Sequence, residues 1–191
     1  MPHSVCPWWI GYLLVSPLRR LGCDPAHVLA PYVREEMTVL EPGPGMGFFT
    51  LELARRAGPS GRVVAIDIQP KMLDRLKRRA AKAGLAARLD LRVAKPDTLG
   101  LSAEAGAFDF VLAFAMVHEM PSHRVFFQEA AAAMKPGTRM LLAEPAGHVK
   151  RPLFDAELGS AAEAGLRVSE RPAIRRSLAA VLTKQADPAR G

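Results

Sequence analysis

The sequence predicts an α/β fold: a doubly wound, mostly parallel sheet of seven strands, preceded by a helical extension. Three observations carry this reading. From residue 38 onward, short β-type runs alternate with helical patterns, the order that builds a parallel sheet with helices on both faces. The runs are apolar rather than strictly alternating, as expected for strands buried on both sides. The first run ends in a glycine-rich turn, "EPGPGMG", that leads into the helix start "FFTLELA".

Taken in order, the strands are expected at 38–41, 62–66, 89–93, 108–114 and 139–143. A first helix over 49–57 stops at Gly58-Pro59, and a second over 70–83 has Pro70 at its first position and Gly84 beyond its end, matching the preference for proline at helix starts and glycine after helix ends. A third follows Ser122, a good N-cap, and stops before Lys135-Pro136-Gly137. A fourth over 153–164 is closed by Gly165, and the runs 166–168 and 178–183 suit an antiparallel pair at the sheet edge. Residues 1–37 differ in character. Trp8, Trp9, Tyr12, Leu13 and Leu14 suggest an apolar helix, and Asp24-Pro25 starts a second short one. This segment reads as a lid over the ligand edge, residues 38–186 as the single domain, and 187–191 as a loose tail.

Composition narrows the function. At 191 residues, 49% apolar and 24% charged, the chain suits one folded domain with a full core. The net charge of +7 raises the question of nucleic acid. Much of the positive charge lies between residues 71 and 88, where Met72, Leu73, Leu76 and Ala80 recur at helical spacing. Such a cluster reads as a solvated helix face, so there is no firm nucleic-acid signal. Two cysteines are too few for a disulfide framework, which fits a cytoplasmic location. The run "WWIGYLLVS" is well short of the roughly 20 residues that span a bilayer, so no transmembrane segment is expected.

The turn itself excludes two ligand classes. A dinucleotide fingerprint needs a third glycine where Phe48 stands, and a phosphate loop needs Gly-Lys-Ser/Thr and the N–H that Pro44 lacks. What remains is Glu41-x-Gly43-x-Gly45-x-Gly47, followed by Asp67 at the end of the second strand. A carboxylate there can accept from both hydroxyls of a ribose. A nucleoside-bearing ligand is the reading that uses both features; the plain alternatives are an ordinary strand-to-helix connection and a carboxylate at a helix N-terminus.

At these residues the chain resembles the class I S-adenosylmethionine-dependent methyltransferases, which are Rossmann-like and seven-stranded. "VLEPGPGMG", "VVAIDIQPKML", "FDFVLAFAMVHEM" and "AAAMKPGTRMLLAEP" stand in that family's motif order. The resemblance implies S-adenosylmethionine as cofactor. It implies that Glu41, Gly43, Gly45, Met46 and Gly47 face the methionine part, that Asp67 holds the ribose, that Ile68 packs on adenine, and that Ala113 lies near the methionine amino group. Many relatives carry Gly-Asp-Ala after the third strand, whereas this chain reads Ala94-Lys95-Pro96-Asp97. Asp97 or a backbone carbonyl then replaces the missing acceptor, or adenine is held more loosely.

Methyl transfer depends mainly on alignment and water exclusion, and a base helps when the acceptor is a hydroxyl or protonated amine. His118 is the first candidate, with Glu119 beside it; Glu144 and His148 are second. His118 also reads as a loop residue that shapes the pocket or caps the next helix, and Glu144 and His148 as ordinary loop residues. No Asn/Asp-Pro-Pro-Tyr/Phe follows the fourth strand, which disfavours base-amine and glutamine acceptors. Trp8, Trp9, Tyr12, Phe114 and Met116 suggest a small, apolar acceptor; they also suit a core. His3, Cys6, Cys23 and His27 have spacings that admit one zinc, but small buried cysteines and surface histidines explain them as well, and no metal is assigned. The alternatives in other classes are a cofactor-binding module without turnover and an RNA methyltransferase.

Overall fold

The computed structural model describes residues 23–185. The expected helix bearing Trp8, Trp9, Tyr12, Leu13 and Leu14 lies outside the described residues, as do His3, Cys6 and the tail at 187–191. The chain divides after residue 95 into two compact units.

In the first unit, Asp24 caps α1 (Pro25–Leu29) by accepting from the Ala26 N–H at 3.1 Å, and the Arg56 guanidinium donates to the Ala26 carbonyl at 2.7 Å. Strand β1 (Thr38–Pro42) is buried after its first residue. Helix α2 (Thr50–Ala57) buries Leu51, Leu53, Ala54 and Ala57, and pairs Glu52 with Arg55 and Arg56 on its other side. Strand β2 (Arg62–Asp67) is buried from Val63 onward. Helix α3 (Pro70–Lys82) buries Met72, Leu73, Leu76 and Ala80 and exposes Lys71, Arg75, Lys77 and Arg78. Its charge is therefore a solvated face, as the spacing predicts. Strand β3 (Leu89–Val93) is partly exposed along its whole length, in keeping with its place at one end of the sheet.

In the second unit, β4 (Phe108–Phe114) is followed by a 3-10 turn at Val117–Glu119 and by α4 (His123–Ala133). Ser122 caps α4 by accepting from the Val125 N–H at 3.3 Å. Strand β5 (Met134–Pro145) starts five residues earlier and ends two later than the apolar run suggested. The reason is a bulge: Phe108 pairs with Met134, yet Phe110 pairs with Arg139. The Lys-Pro-Gly segment is thus looped out within the strand, fastened by Lys135 to Asp109 at 2.5 Å and by the Thr138 hydroxyl to the Lys135 carbonyl at 2.7 Å. Helix α5 (Arg151–Glu163), β6 (Leu166–Glu170) and β7 (Ser177–Lys184) complete the unit, with β7 antiparallel to both β5 and β6. Phe126, Phe127 and Phe154 are fully buried beside the sheet strands.

The sheet order is β3-β2-β1-β4-β5-β7-β6, parallel at β1–β2, β2–β3 and β4–β5. This is the mostly parallel, seven-stranded sheet expected from the alternating pattern. Gly61, just before β2, is the tightest point of the first unit: an added Cβ would meet the Ala57 carbonyl oxygen and the Ala57 Cβ. Backbone cannot rotate away as a side-chain tip can. Gly61→Ala should therefore lower the unfolding free energy by about 1–3 kcal/mol, read as a lower urea midpoint; an unchanged midpoint would refute the tight contact.

Candidate active site

Two acids mark the carboxyl ends of the first unit's strands. Glu41, next to last in β1, is 4% exposed, and its Oε2 is buried without a hydrogen-bond partner. Burial pushes its carboxyl up to about 8, the Thr50 hydroxyl beside it offsets this only partly, and Asp67 adds repulsion. Thr50 Oγ1 lies close but makes no hydrogen bond in this geometry. Asp67, last in β2, accepts from the Gly45 N–H at 3.3 Å through Oδ2 and from the Gln69 N–H at 2.8 Å through Oδ1. The Asp67 carboxylate thus bridges the glycine turn and the start of α3, which draws the ends of β1 and β2 together.

The turn between them needs its glycines. Gly43, Gly45 and Gly47 have φ of 66°, 54° and 85°, the left-handed region that side chains rarely adopt. At Gly47 an added Cβ would also meet the tip of the Leu76 side chain, which would have to shift to make room. The Gly43 N–H donates to the Ile66 carbonyl at 2.8 Å, and Arg79 reaches the Met46 carbonyl. Met46 is buried, whereas Gly43 is exposed and Gly45 and Ile68 are half-buried.

A second cluster forms in the other unit. Ala115, after β4, has φ of 57°, a conformation a non-glycine residue adopts at some cost. It turns the chain so that the 3-10 turn meets the end of β5. There the fully buried Glu144 accepts from the Val117 N–H at 2.8 Å through Oε1 and contacts His118 Nδ1 through Oε2. The contact to Glu144 is the largest cause that raises the proton affinity of His118; burial opposes it, and Glu119 and Glu157 add to it. With Nδ1 facing a carboxylate, Nε2 is the ring nitrogen left to exchange a proton. Glu119 Oε1 lies 3.9 Å from it.

These positions refine the sequence reading. His118 does not cap α4, because Ser122 does. Glu144 is no loop residue, since it belongs to β5 and is fully buried; His148 is exposed in the following loop. Asp97 is exposed, in a loop that Glu129 of α4 holds through Thr98 Oγ1 at 2.6 Å and the Leu99 N–H at 2.5 Å. Ala113 is fully buried in β4, paired with Leu142. Cys23 is half-buried and His27 exposed, and no group of three metal-ligating side chains occurs among the described residues. The residue that sequence reasoning missed is Glu157. It is fully buried in α5, both oxygens lack hydrogen-bond partners, and burial followed by repulsion from Glu144 pushes its carboxyl up to about 8. The available signal was its place between Phe154, Leu158 and Ala161, the apolar face of that helix.

Glu41 and Glu157 both hold a proton more tightly when folded, at about 8 against an ordinary 4.5, and His118 is shifted in the same direction. Between those values the folded state binds more protons than the unfolded one. Their contribution to stability is therefore present below the ordinary value and lost as pH rises through about 8. Urea unfolding across this window should show the loss, and Glu157→Gln should reduce it; wild-type stability that climbs across the window would contradict it.

Residues 39–137 match the methyltransferase domain family. A ubiquinone biosynthesis O-methyltransferase from Methylocella silvestris is 32% identical over 143 residues, 74% of this chain and 53% of that protein. A ubiquinone/menaquinone biosynthesis C-methyltransferase from Rhizobium meliloti is 32% identical over 128 residues, 66% of this chain and 48% of that protein. The chain thus spans about half the length of these curated relatives. The crystal structure of a SAM-dependent methyltransferase from Aquifex aeolicus superposes with a TM-score of 0.83 at 23% identity, covering 94% of this chain and all of that one. Motif order, sheet order and the family match over more than half of the sequence agree: the chain belongs to the class I S-adenosylmethionine-dependent methyltransferases.

Proposed function

We propose that this chain transfers a methyl group from S-adenosylmethionine to an acidic hydroxyl on a small, largely apolar molecule, with His118 as the base. The observation that carries the reading is the His118 ring set against the buried Glu144 carboxylate. A histidine oriented in this way by an acid is suited to accept a proton through its other nitrogen.

The first unit fits the cofactor. Glu41 Oε2 is a buried acceptor without a partner, which suits the ammonium of a methionine. Asp67 accepts from the Gly45 and Gln69 N–H groups, which holds at the end of β2 a carboxylate of the kind that accepts from ribose hydroxyls. The left-handed turn at Gly43, Gly45, Met46 and Gly47 leaves the backbone approachable, and Ile68 offers a half-buried apolar surface to adenine. The resemblance further assigns Asp97, or a backbone carbonyl in its place, to the adenine amine and Ala113 to the methionine end; both residues belong to the second unit. S-adenosylmethionine, when bound, supplies a methyl on a positively charged sulfur that leaves as a neutral thioether.

The protein's own part is binding, alignment and proton removal. His118 Nε2 takes the hydroxyl proton as the oxygen becomes the nucleophile; Glu144 stabilises the resulting imidazolium, which then returns the proton to solvent. On this reading the catalytic domain begins at residue 38. Of the two relatives named above, the ubiquinone biosynthesis O-methyltransferase supports an oxygen acceptor, whereas the C-methyltransferase would favour carbon. No helix among the described residues is long and apolar enough to cross a membrane; the cytoplasmic location we propose rests on the low cysteine count alone.

The test is transfer of labelled methyl from S-adenosylmethionine to a panel of phenols and hydroquinones. Asp67→Ala should weaken cofactor binding by about tenfold or more, as loss of charge-assisted hydrogen bonds does. His118→Asn should leave cofactor binding unchanged and lower kcat by about a hundredfold. Binding with no transfer to any acceptor would favour a binding module, and label found in RNA would favour an RNA methyltransferase. Full activity in His118→Asn would remove the base.

A further inference from the structure

We infer that the β3 edge of the sheet is a docking surface for a second copy of this chain, which adds its own β3 antiparallel so that the two sheets continue into one another. Among the described residues, β3 stands at the end of the sheet order and pairs with β2 alone. Its two faces differ. Leu89, Leu91 and Val93 line a groove of about 370 Å³ with Leu73, Lys77 and Ala80 of α3, and Val93 is 59% exposed. On the opposite face, Asp90 pairs with Arg92 at 2.8 Å and with Arg62 of β2. The Ala94 N–H donates to the Asp67 carbonyl of β2 at 3.1 Å, and the backbone groups of successive residues point to alternate sides of a strand. Asp90 and Arg92 therefore turn theirs toward β2, whereas Leu91 and Val93 turn theirs to the open edge. Leu89 does the same with its carbonyl, its N–H being donated to the Ala86 carbonyl.

Charge then selects the register. Two antiparallel copies bond only where outward-facing residues stand opposite one another. With Leu91 opposite Leu91, Asp90 of each copy faces Arg92 of the other, and Leu89 faces Val93. Sliding the strands by two residues one way sets Asp90 against Asp90, and sliding them the other way sets Arg92 against Arg92. Opposite charges directly across from each other are favourable and like charges destabilising, so the strand is complementary to itself in one register. There the Asp90–Arg92 pairs occupy the non-hydrogen-bonded sites, where opposed side chains come closest, and the outward residues exchange about four backbone hydrogen bonds. Leu89, Leu91 and Val93 of both copies form one apolar strip between the two grooves. Charges on an edge strand ordinarily keep edges apart; here their order along β3 does so in the neighbouring registers and not in this one. The edge strand β6 carries a register shift between Val168 and Glu170, a device against edge pairing that β3 lacks. A two-fold contact through β3 uses the same surface on both copies and closes at the dimer.

The test is sedimentation velocity of the full chain from dilute solution to about 500 µM, with amide hydrogen exchange followed by NMR at both ends of that range. The mass should rise from monomer to dimer, and exchange at the Leu91 and Val93 amides should slow by about tenfold or more in step with it. Asp90→Arg and Arg92→Asp should each weaken self-association by about tenfold, because each sets like charges opposite one another. Mixed in equal amounts, the two variants again meet opposite charges at both positions, so they should pair with each other more tightly than either does with itself. A wild-type chain that stays monomeric to the highest concentration overturns the inference, as does a dimer whose Leu91 and Val93 amides exchange as fast as in the monomer. Amides already protected in the monomer overturn it too, since the chain's own residues then cover the edge. These wild-type readings decide the matter even if a variant fails to fold; folded variants that dimerise as the wild type does, or that do not pair in the mixture, also overturn it.

Discussion

A strand buried on both faces has no solvent along its length, so an acid in it is tolerated only where the strand ends and other groups meet its charge. Glu41 and Asp67 close β1 and β2, and Glu144 closes β5. Each is buried, and each does a different job in the structure. Asp67 ties the glycine turn to α3, Glu144 ties the 3-10 turn to β5, and Glu41 keeps one oxygen without a partner. The glycine turn and Ala115 follow from the same constraint, because sharp left-handed turns bring backbone N–H groups onto these carboxylates.

The consequence is a division of labour between charge and proton. Asp67 is held by two backbone donors, and Glu144 by the Val117 N–H and the His118 ring. Glu41 and Glu157 are not satisfied, and burial keeps them as neutral acids near neutral pH. Unpartnered buried groups of this kind cost stability. Glu41 lies at the end of β1, just before the glycine turn, and Glu157 on the buried side of α5.

Much of this was legible in the sequence. The alternation from residue 38, the capping Ser122 and the apolar spacing of 72, 73, 76 and 80 led to the strands and helices observed. The missing third glycine at Phe48 and the acid at 67 led to a nucleoside-bearing ligand, and the four motifs in order led, by resemblance, to the cofactor. Other features depended on long-range pairing that no local pattern encodes. The bulge that loops out Lys135 within β5 follows from its register against β4. Glu144 read as a loop residue because its apolar run seemed to end at 143, and only antiparallel pairing with β7 extends the strand to 145. Glu157 was hidden because glutamate is a good helix former, and its burial becomes visible only once α5 is seated on the sheet.

The central claim is that the unpartnered carboxyl of Glu41 is a seat for the cofactor's ammonium, and proton counting tests it most directly. Calorimetric titration of S-adenosylmethionine at about pH 6.5, in two buffers of different ionisation heat, reports the protons exchanged on binding. A carboxyl held near 8 must ionise to meet the ammonium, so binding should release close to one proton per site. Glu41→Gln should bind more weakly and release none. Equal release from wild type and Glu41→Gln, or proton uptake by the wild type, would contradict the account.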